Sequence, residues 1–246
     1  MKSKMFVRYA GLLLFASLNL AMTFPLAAIN PVTGGAAPLK QAAASASIPT
    51  LPTLDDFTAS LNNGQAGQVV GVYVPDVLAL RVAQQPVNNL AYVTEDPIYV
   101  TQFGLAAQYG TTGLLAHNYL SGHLFFNLSS GQEVDAIYGA GSIRRYAISS
   151  LRHFQALSPT DPSSNFVDID GNNGTQISNA DLFKQIYAEG DRVVFQTCIT
   201  AAGNTSWGRL FVIATPLPLP SKPDQIDWIT VLQRFAQSGW TSISTR

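Results

Sequence analysis

Cysteine is almost missing from this chain: 246 residues contain one, Cys198. One cysteine cannot close an internal disulfide, which excludes a disulfide-stapled scaffold. Histidine is nearly as scarce, at three residues. With so few soft ligands, no Cys/His group has the spacing of a zinc site. Charge is also thin: Asp, Glu, Lys and Arg make up 12%, against about 25% in an ordinary soluble domain. The 14 Lys+Arg and 15 Asp+Glu cancel to a net −1, so the chain lacks the electrostatic footprint of a nucleic-acid binder and no nucleic-acid partner is expected. What is there is apolar. Hydrophobic residues reach 47%, too many for a chain disordered throughout, and the length fits one domain with extensions.

The apolar residues are unevenly placed. Lys2, Lys4 and Arg8 precede a run over residues 9–22 that only Ser17 and Asn19 interrupt, and the small residues Ala27 and Ala28 follow. A basic start, an apolar stretch and small residues are the parts of an export signal. Extended to Ala28, the stretch approaches the roughly 20 residues of a spanning helix. Residues 1–28 therefore read as a signal peptide or membrane anchor, and the working part as extracytoplasmic, secreted or membrane-anchored. If the leader is uncleaved, the membrane is itself a partner. Residues 29–67, with the run Gln41-Ala-Ala-Ala-Ser-Ala-Ser47, have the composition of an Ala/Pro/Ser-rich linker.

From Gln68 the pattern turns to short β-branched runs. Val69-Val-Gly-Val-Tyr-Val74 and Val77-Leu-Ala-Leu-Arg-Val82 flank Pro75-Asp76. Residues 84–113 are mixed and read as loop. Leu114-Leu-Ala-His117 is a short apolar strand. Val134-Asp-Ala-Ile-Tyr138 and Ile143-Arg-Arg-Tyr-Ala-Ile148, joined by Gly139-Ala-Gly-Ser142, form a hairpin signal. Residues 158–178 read as a long loop, and 179–188 as a helix capped by Ser178 or Asn179. Arg192-Val-Val-Phe-Gln-Thr-Cys198 and Arg209-Leu-Phe-Val-Ile-Ala214 are two more strands around a Gly/Asn turn. Many short strands without βαβ alternation imply a mainly β domain over residues 68–216, a closed antiparallel or mixed barrel with short helices. Residues 217–246 form an extension in which Ser221-Lys-Pro-Asp224 resembles a capping box and Ile226, Ile229, Leu232 and Phe235 share one face of a C-terminal helix.

Cys198 closes a strong strand beside a polar turn. It is either an inert buried thiol or a nucleophile, and a nucleophile needs a basic or cationic neighbour. His117, also at a strand end, is one candidate. Arg209, which opens the following strand, is another, able to hydrogen-bond an acyl oxygen as negative charge develops there.

Thr112-Gly-Leu-Leu-Ala-His-Asn118, Phe125-Phe-Asn-Leu-Ser-Ser-Gly131, Tyr138-Gly-Ala-Gly with Tyr146, Asp191-Arg-Val-Val-Phe-Gln-Thr-Cys198 and Gly208-Arg-Leu-Phe-Val-Ile-Ala214 follow one another. In this order and spacing they resemble the sortase family over residues 68–214. His117 and Cys198 are 81 residues apart (198 − 117) and Cys198 and Arg209 are 11 apart (209 − 198). The resemblance implies a β-barrel cysteine transpeptidase with Cys198, His117 and Arg209 as catalytic residues. Cys198 would attack a carbonyl of a peptide sorting signal and form a thioacyl enzyme. His117 would protonate the leaving amine and later deprotonate an amine nucleophile, and Arg209 would hold the carbonyl oxygen. The resemblance places Thr197 in the substrate groove. It gives residues 158–188 the position of the loop that closes over that groove. Asn118 and His123, near His117, join Thr197 as candidate substrate-binding residues. Ala116 stands where the family often has Gly, and Val194-Phe-Gln-Thr-Cys198 where many members have Thr-Leu-Thr-Cys. Cell-wall L,D-transpeptidases also use Cys, His and Arg. Their Ser-x-Gly-Cys motif is missing from Gln196-Thr-Cys-Ile199, and Arg209 lies farther on than their arginine.

Two other functional readings stay open: a secreted β-barrel binding module with a degenerate trio, and a cysteine peptidase that releases the acyl group to water. No cofactor is expected. Val167-Asp-Ile-Asp-Gly-Asn-Asn-Gly174 sets Asp168, Asp170 and Asn172 at alternate positions, but the sixth and twelfth positions of an EF-hand loop fall on Asn173 and Asn179 instead of Gly and Glu. The segment reads as an Asx-rich turn, with a weak calcium site near Asp168 and Asp170 as the alternative.

Overall fold

The structure, a computed structural model, describes residues 51–171 and 174–218. The leader, the linker up to residue 50, Asn172 and Asn173, and the expected C-terminal helix lie outside the described residues.

The β-branched runs form strands and their turns set the pairing. β1 (Val69–Val74) and β2 (Leu78–Gln84) are antiparallel, with Val74 opposite Leu78. The connection turns at Asp76, whose φ of 61° lies in the left-handed region that Asp tolerates better than most side chains. β3 (Tyr99–Gln102) runs parallel to β2, and β4 (Thr111–Leu115) antiparallel to β3. β5 (Glu133–Tyr138) and β6 (Ile143–Ala156) make the expected hairpin. β7 (Phe166–Asp168) and β8 (Gln176–Ile177) are short additions beside β6. β9 (Arg192–Ala201) and β10 (Asn204–Pro216) form the last hairpin. Both of its turn residues, Ala202 and Gly203, have positive φ, the twist that suits a two-residue hairpin.

The strand order is β10-β9-β4-β3-β2-β1-β5-β6-β7-β8, with a further β6–β10 pairing. That pairing closes eight strands into a mixed barrel, as the sequence implied. β6 makes closure possible through its length. One edge pairs β5 near its start and β7 near its end, while the other pairs β10 from Tyr146 to Gln155. At this seam Gly208 is required: a Cβ there would lie 2.5 Å from the Phe154 carbonyl oxygen.

Alternation sorts the side chains into three apolar groups. Every barrel strand contributes to the interior, among them Val72, Leu80, Val100, Leu114, Ala136, Ile148, Phe195 and Val212. A second cluster lies outside the barrel, where α3 (Asn179–Tyr187) sets Leu182, Phe183, Ile186 and Tyr187 against Phe103, Leu115, Val194, Phe211 and Ile213. Ser178 caps this helix by accepting from the Asp181 N–H, as the sequence suggested. A third cluster joins Phe57 and Leu61 to Val70 and Ile137.

That third cluster corrects the linker boundary. Residues 54–61 fall inside the segment read as linker, yet they form α1 (Leu54–Leu61), capped by Thr53 and packed on β1. The loop expected over 84–113 is also only partly loop. It contains β3 and α2 (Gly104–Ala107), and its first part, residues 85–98, connects β2 to β3. The long loop expected over 158–178 includes β7 and β8.

Candidate active site

β4, β9 and β10 are neighbours, and their parity decides which side chains meet. On β9, Val193 and Phe195 face the interior while Val194 faces the outer cluster; Cys198 has the parity of Val194. On β10, Leu210 and Val212 face inward and Phe211 and Ile213 outward; Arg209 has the outward parity. On β4, Leu114 and Ala116 face inward and Leu115 outward; His117, two residues past the strand end, continues the outward set. Cys198 and Arg209 are direct cross-strand partners. The β4–β9 ladder pairs Leu115 with Gln196, and the Ala116 N–H donates to the Gln196 carbonyl at 3.1 Å. Carried on two residues, that parallel register sets His117 level with Cys198. Adjacent strands are about 4.8 Å apart, so the backbone brings the end of β4, which carries His117, beside the Cys198–Arg209 pair.

This corner is braced by its neighbours. Thr197 Oγ1 donates to the Ala116 carbonyl at 2.9 Å, tying β9 to the end of β4. The 3-10 helix Ser121–Asn127 then packs on this corner. Gly122 donates its N–H to the His117 carbonyl at 3.0 Å. A Cβ on Gly122 would lie 2.3 Å from Thr197 Oγ1 and 2.6 Å from the His117 carbonyl oxygen, so only glycine lets the helix approach.

Cys198 is a free, half-buried thiol. Arg209 is fully buried at 0% exposure, and its Nη1 donates to the Ser206 and Gly208 carbonyls at 3.0 and 2.6 Å. Burial pulls its pKa down, and the neighbouring Cys198 pushes it back up. Arginine keeps its proton in proteins, so a fixed cation lies beside the sulfur.

His117 has 11% of its side chain exposed, and its Nε2 lies 3.4 Å from Glu95 Oε1. Burial lowers its pKa, while the Glu95 charge and a bond to the Val93 carbonyl raise it. Tyr119 stacks on the imidazole, with centroids 5.1 Å apart and planes at 20°, and its hydroxyl donates to Glu95 Oε2 at 3.1 Å. The Tyr119 pKa is raised, first by desolvation, then by Glu95 and Cys198. Sequence reasoning missed both Glu95 and Tyr119.

Three expected substrate-binding residues fare differently. Thr197 is 2% exposed and bonded to the Ala116 carbonyl; successive residues of a strand point to opposite faces, so its side chain turns away from that of Cys198 and braces β9 against the end of β4. Asn118 gives its amide hydrogens to Thr200 Oγ1 at 2.9 Å and the Thr205 carbonyl at 3.1 Å, fastening the β4 end to the β9–β10 hairpin. His123 is exposed on the 3-10 helix, its Nδ1 against the Leu120 carbonyl.

The calcium alternative meets occupied carboxylates. Asp168 pairs with Arg152 at 2.6 Å and accepts from the Asp170 N–H, and Asp170 pairs with the His153 ring at 2.8 Å. Among the described residues, no three His, Cys, Asp or Glu side chains gather as metal ligands.

No protein-family model matches the sequence, and no curated protein does. Solved sortase structures do resemble the fold. Sortase C1 of Streptococcus agalactiae, in complex with MTSET, is 14% identical over 67% of this chain and 75% of that one, with a TM-score of 0.40. Listeria monocytogenes sortase A is 12% identical over 61% and 88%, with a TM-score of 0.36. Clostridium perfringens sortase C, solved with the C-terminal cell wall sorting motif, is 13% identical over 64% and 75%, with a TM-score of 0.41. At such identities the chemistry has to be read from the residues themselves.

Proposed function

We propose that this chain is an extracytoplasmic cysteine transpeptidase of the sortase type, acting on a peptide sorting signal and an amine acceptor. The observation that supports the reading is the adjacency of β4, β9 and β10, with Cys198 paired to Arg209 and the end of β4 carrying His117 beside them. In this reading Cys198 Sγ attacks a peptide carbonyl carbon and the sulfur's proton passes to His117. Negative charge gathers on the carbonyl oxygen, where the Arg209 guanidinium stabilises it. The carbon–nitrogen bond then breaks, His117 returns the proton to the leaving amine, and a thioester remains. An incoming amine attacks the thioester, gives its proton to His117 and releases the thiolate, which recovers a proton. With water as acceptor the same steps make a peptidase.

The test incubates the purified chain with candidate sorting peptides, with and without an amine, and follows products by mass spectrometry. The expected result is an acyl adduct on Cys198 and an amide product that appears only with the amine. Release of the free acid in both arms would replace transfer by hydrolysis. No adduct on any peptide, together with a Cys198 thiol that an alkylating probe does not label, would leave the binding-module reading.

A further inference from the structure

Glu95 lies in the β2–β3 connection and belongs to no motif, yet its carboxylate makes two contacts at the site. One oxygen faces His117 Nε2 at 3.4 Å and the other accepts from the Tyr119 hydroxyl at 3.1 Å. The carboxylate itself is 69% exposed, a setting in which a single ion pair contributes little. Here its backbone is anchored. Gln85 Nε2 donates to the Leu90 and Tyr92 carbonyls, and Gln85 Oε1 accepts from the Gly104 N–H. The Thr94 N–H donates to Thr101 Oγ1 on β3 at 2.8 Å, and the Asp96 N–H to Thr94 Oγ1. The loop is thus fastened on both sides of Glu95. Tyr119, held by the same carboxylate, covers one face of the imidazole.

Resting on the function proposed above, we infer that Glu95 is the positioning residue of His117, with Tyr119 as the second contact that holds its carboxylate in place. A carboxylate beside an imidazole fixes the ring's orientation and tautomer and stabilises the imidazolium that forms when the thiol gives up its proton. The other titratable group on the ring is Tyr119, which stacks on it, and Cys198 on β9 lies close enough to act on Tyr119. Glu95 is the carboxylate that favours a proton on the imidazole, and the Val93 carbonyl acts in the same sense.

The full chain and its Glu95→Gln, Glu95→Asp and Tyr119→Phe variants test this. The His117 titration is read by NMR, assigned with His117→Gln, alongside the pH profile of Cys198 acylation. Glu95→Gln is expected to lower the His117 midpoint, to move the acidic limb of the profile the same way, and to slow acylation about ten-fold or more. Glu95→Asp is expected to restore part of each, and Tyr119→Phe to give a smaller loss. A His117 titration and pH profile that stay put in Glu95→Gln would overturn the role of Glu95 while leaving the function intact. Failure of the unmodified chain to acylate Cys198 would overturn the function, and the positioning role with it, whatever the titration shows.

Discussion

Arg209 is buried completely, which few arginines are unless their charge is paired. Its Nη1 is committed to two main-chain carbonyls of its own strand, Ser206 and Gly208, at the point where the β9–β10 register shifts. Those bonds hold the guanidinium plane beside Cys198. Arg209→Lys keeps a charge but loses the planar fork. The expected outcome is an acylation rate lower by about 10²–10³, with Cys198 still labelled by an alkylating reagent. Rapid-quench measurement of the thioester checks this, and an unchanged rate would remove Arg209 from the oxyanion role. How much of this was legible follows from what each residue type carries. Cys198, His117 and Arg209 stood out because a lone thiol in a strong strand draws attention to every base and cation on neighbouring strands, although β9 runs on past Cys198 and β10 begins before Arg209. Glu95 did not, since an acidic residue in Thr94-Glu-Asp96 looks like any solvated loop residue. Its meaning comes only from a parallel β2–β3 pairing that no local pattern encodes. Thr197 shows a further rule of reading. If Cys198 faces the substrate, strict alternation already sends Thr197 to the opposite face.

At the scale of elements, the long ladders and the capped helix followed from composition. β1, β9 and β10 are nearly continuous β-branched and aromatic runs, the mark of strands buried on both faces. β3 escaped because four residues between Pro97 and Gly104 give too short a period to detect. α1 escaped inside a Pro/Ala/Ser background, although Thr53-Leu-Asp-Asp56 is a start signal: Thr53 Oγ1 accepts from the Asp56 N–H. The contact between β4 and β9 beyond the ladder tests how elements hold the site. Thr197→Val keeps the shape but removes the bond to the Ala116 carbonyl, a buried acceptor. We expect about 1–2 kcal/mol of stability lost, measured by urea unfolding. Acylation should fall while alkylation of Cys198 stays unchanged, because His117 loses its brace and Cys198 does not. Equal losses of both would mean that Thr197 supports the whole face and not the histidine.

For the whole molecule, pH reads out the balance of buried groups. His117 has a folded pKa below its unfolded value near 6.5, so the unfolded chain takes up a proton first as pH falls. Its contribution to stability is complete above about 6.5 and declines on acidification through that value toward the folded pKa. Asp135 acts in the other sense. Burial, with Glu133 adding and Arg145 opposing, raises its pKa, so protonation on acidification favours the folded state. Asp161 and Asp181, whose pKa values are lowered by Ser163 and Ser178, stay ionised above pH 5. Comparing the chain with His117→Gln isolates the histidine. Between pH 7 and 5 the melting temperature of the variant should fall less steeply in scanning calorimetry. Parallel slopes would show that His117 is not desolvated in the folded state.

The trio of side chains also says something about when the chain becomes competent. A local hairpin brings Cys198 and Arg209 level, but it does not bring His117 to them. His117 and Cys198 meet through a parallel ladder whose partners are 81 residues apart in sequence, and the β9–β10 hairpin that carries the other two is locked by a seam to β6. Such distant pairings form late and slowly, because loop closure costs entropy before any contact compensates it. A partly folded chain with only the β9–β10 hairpin formed would therefore present a cysteine with arginine beside it and no histidine. If the proposed acyl transfer is correct, it would begin only after β4 pairs with β9, and its onset would time that step of folding.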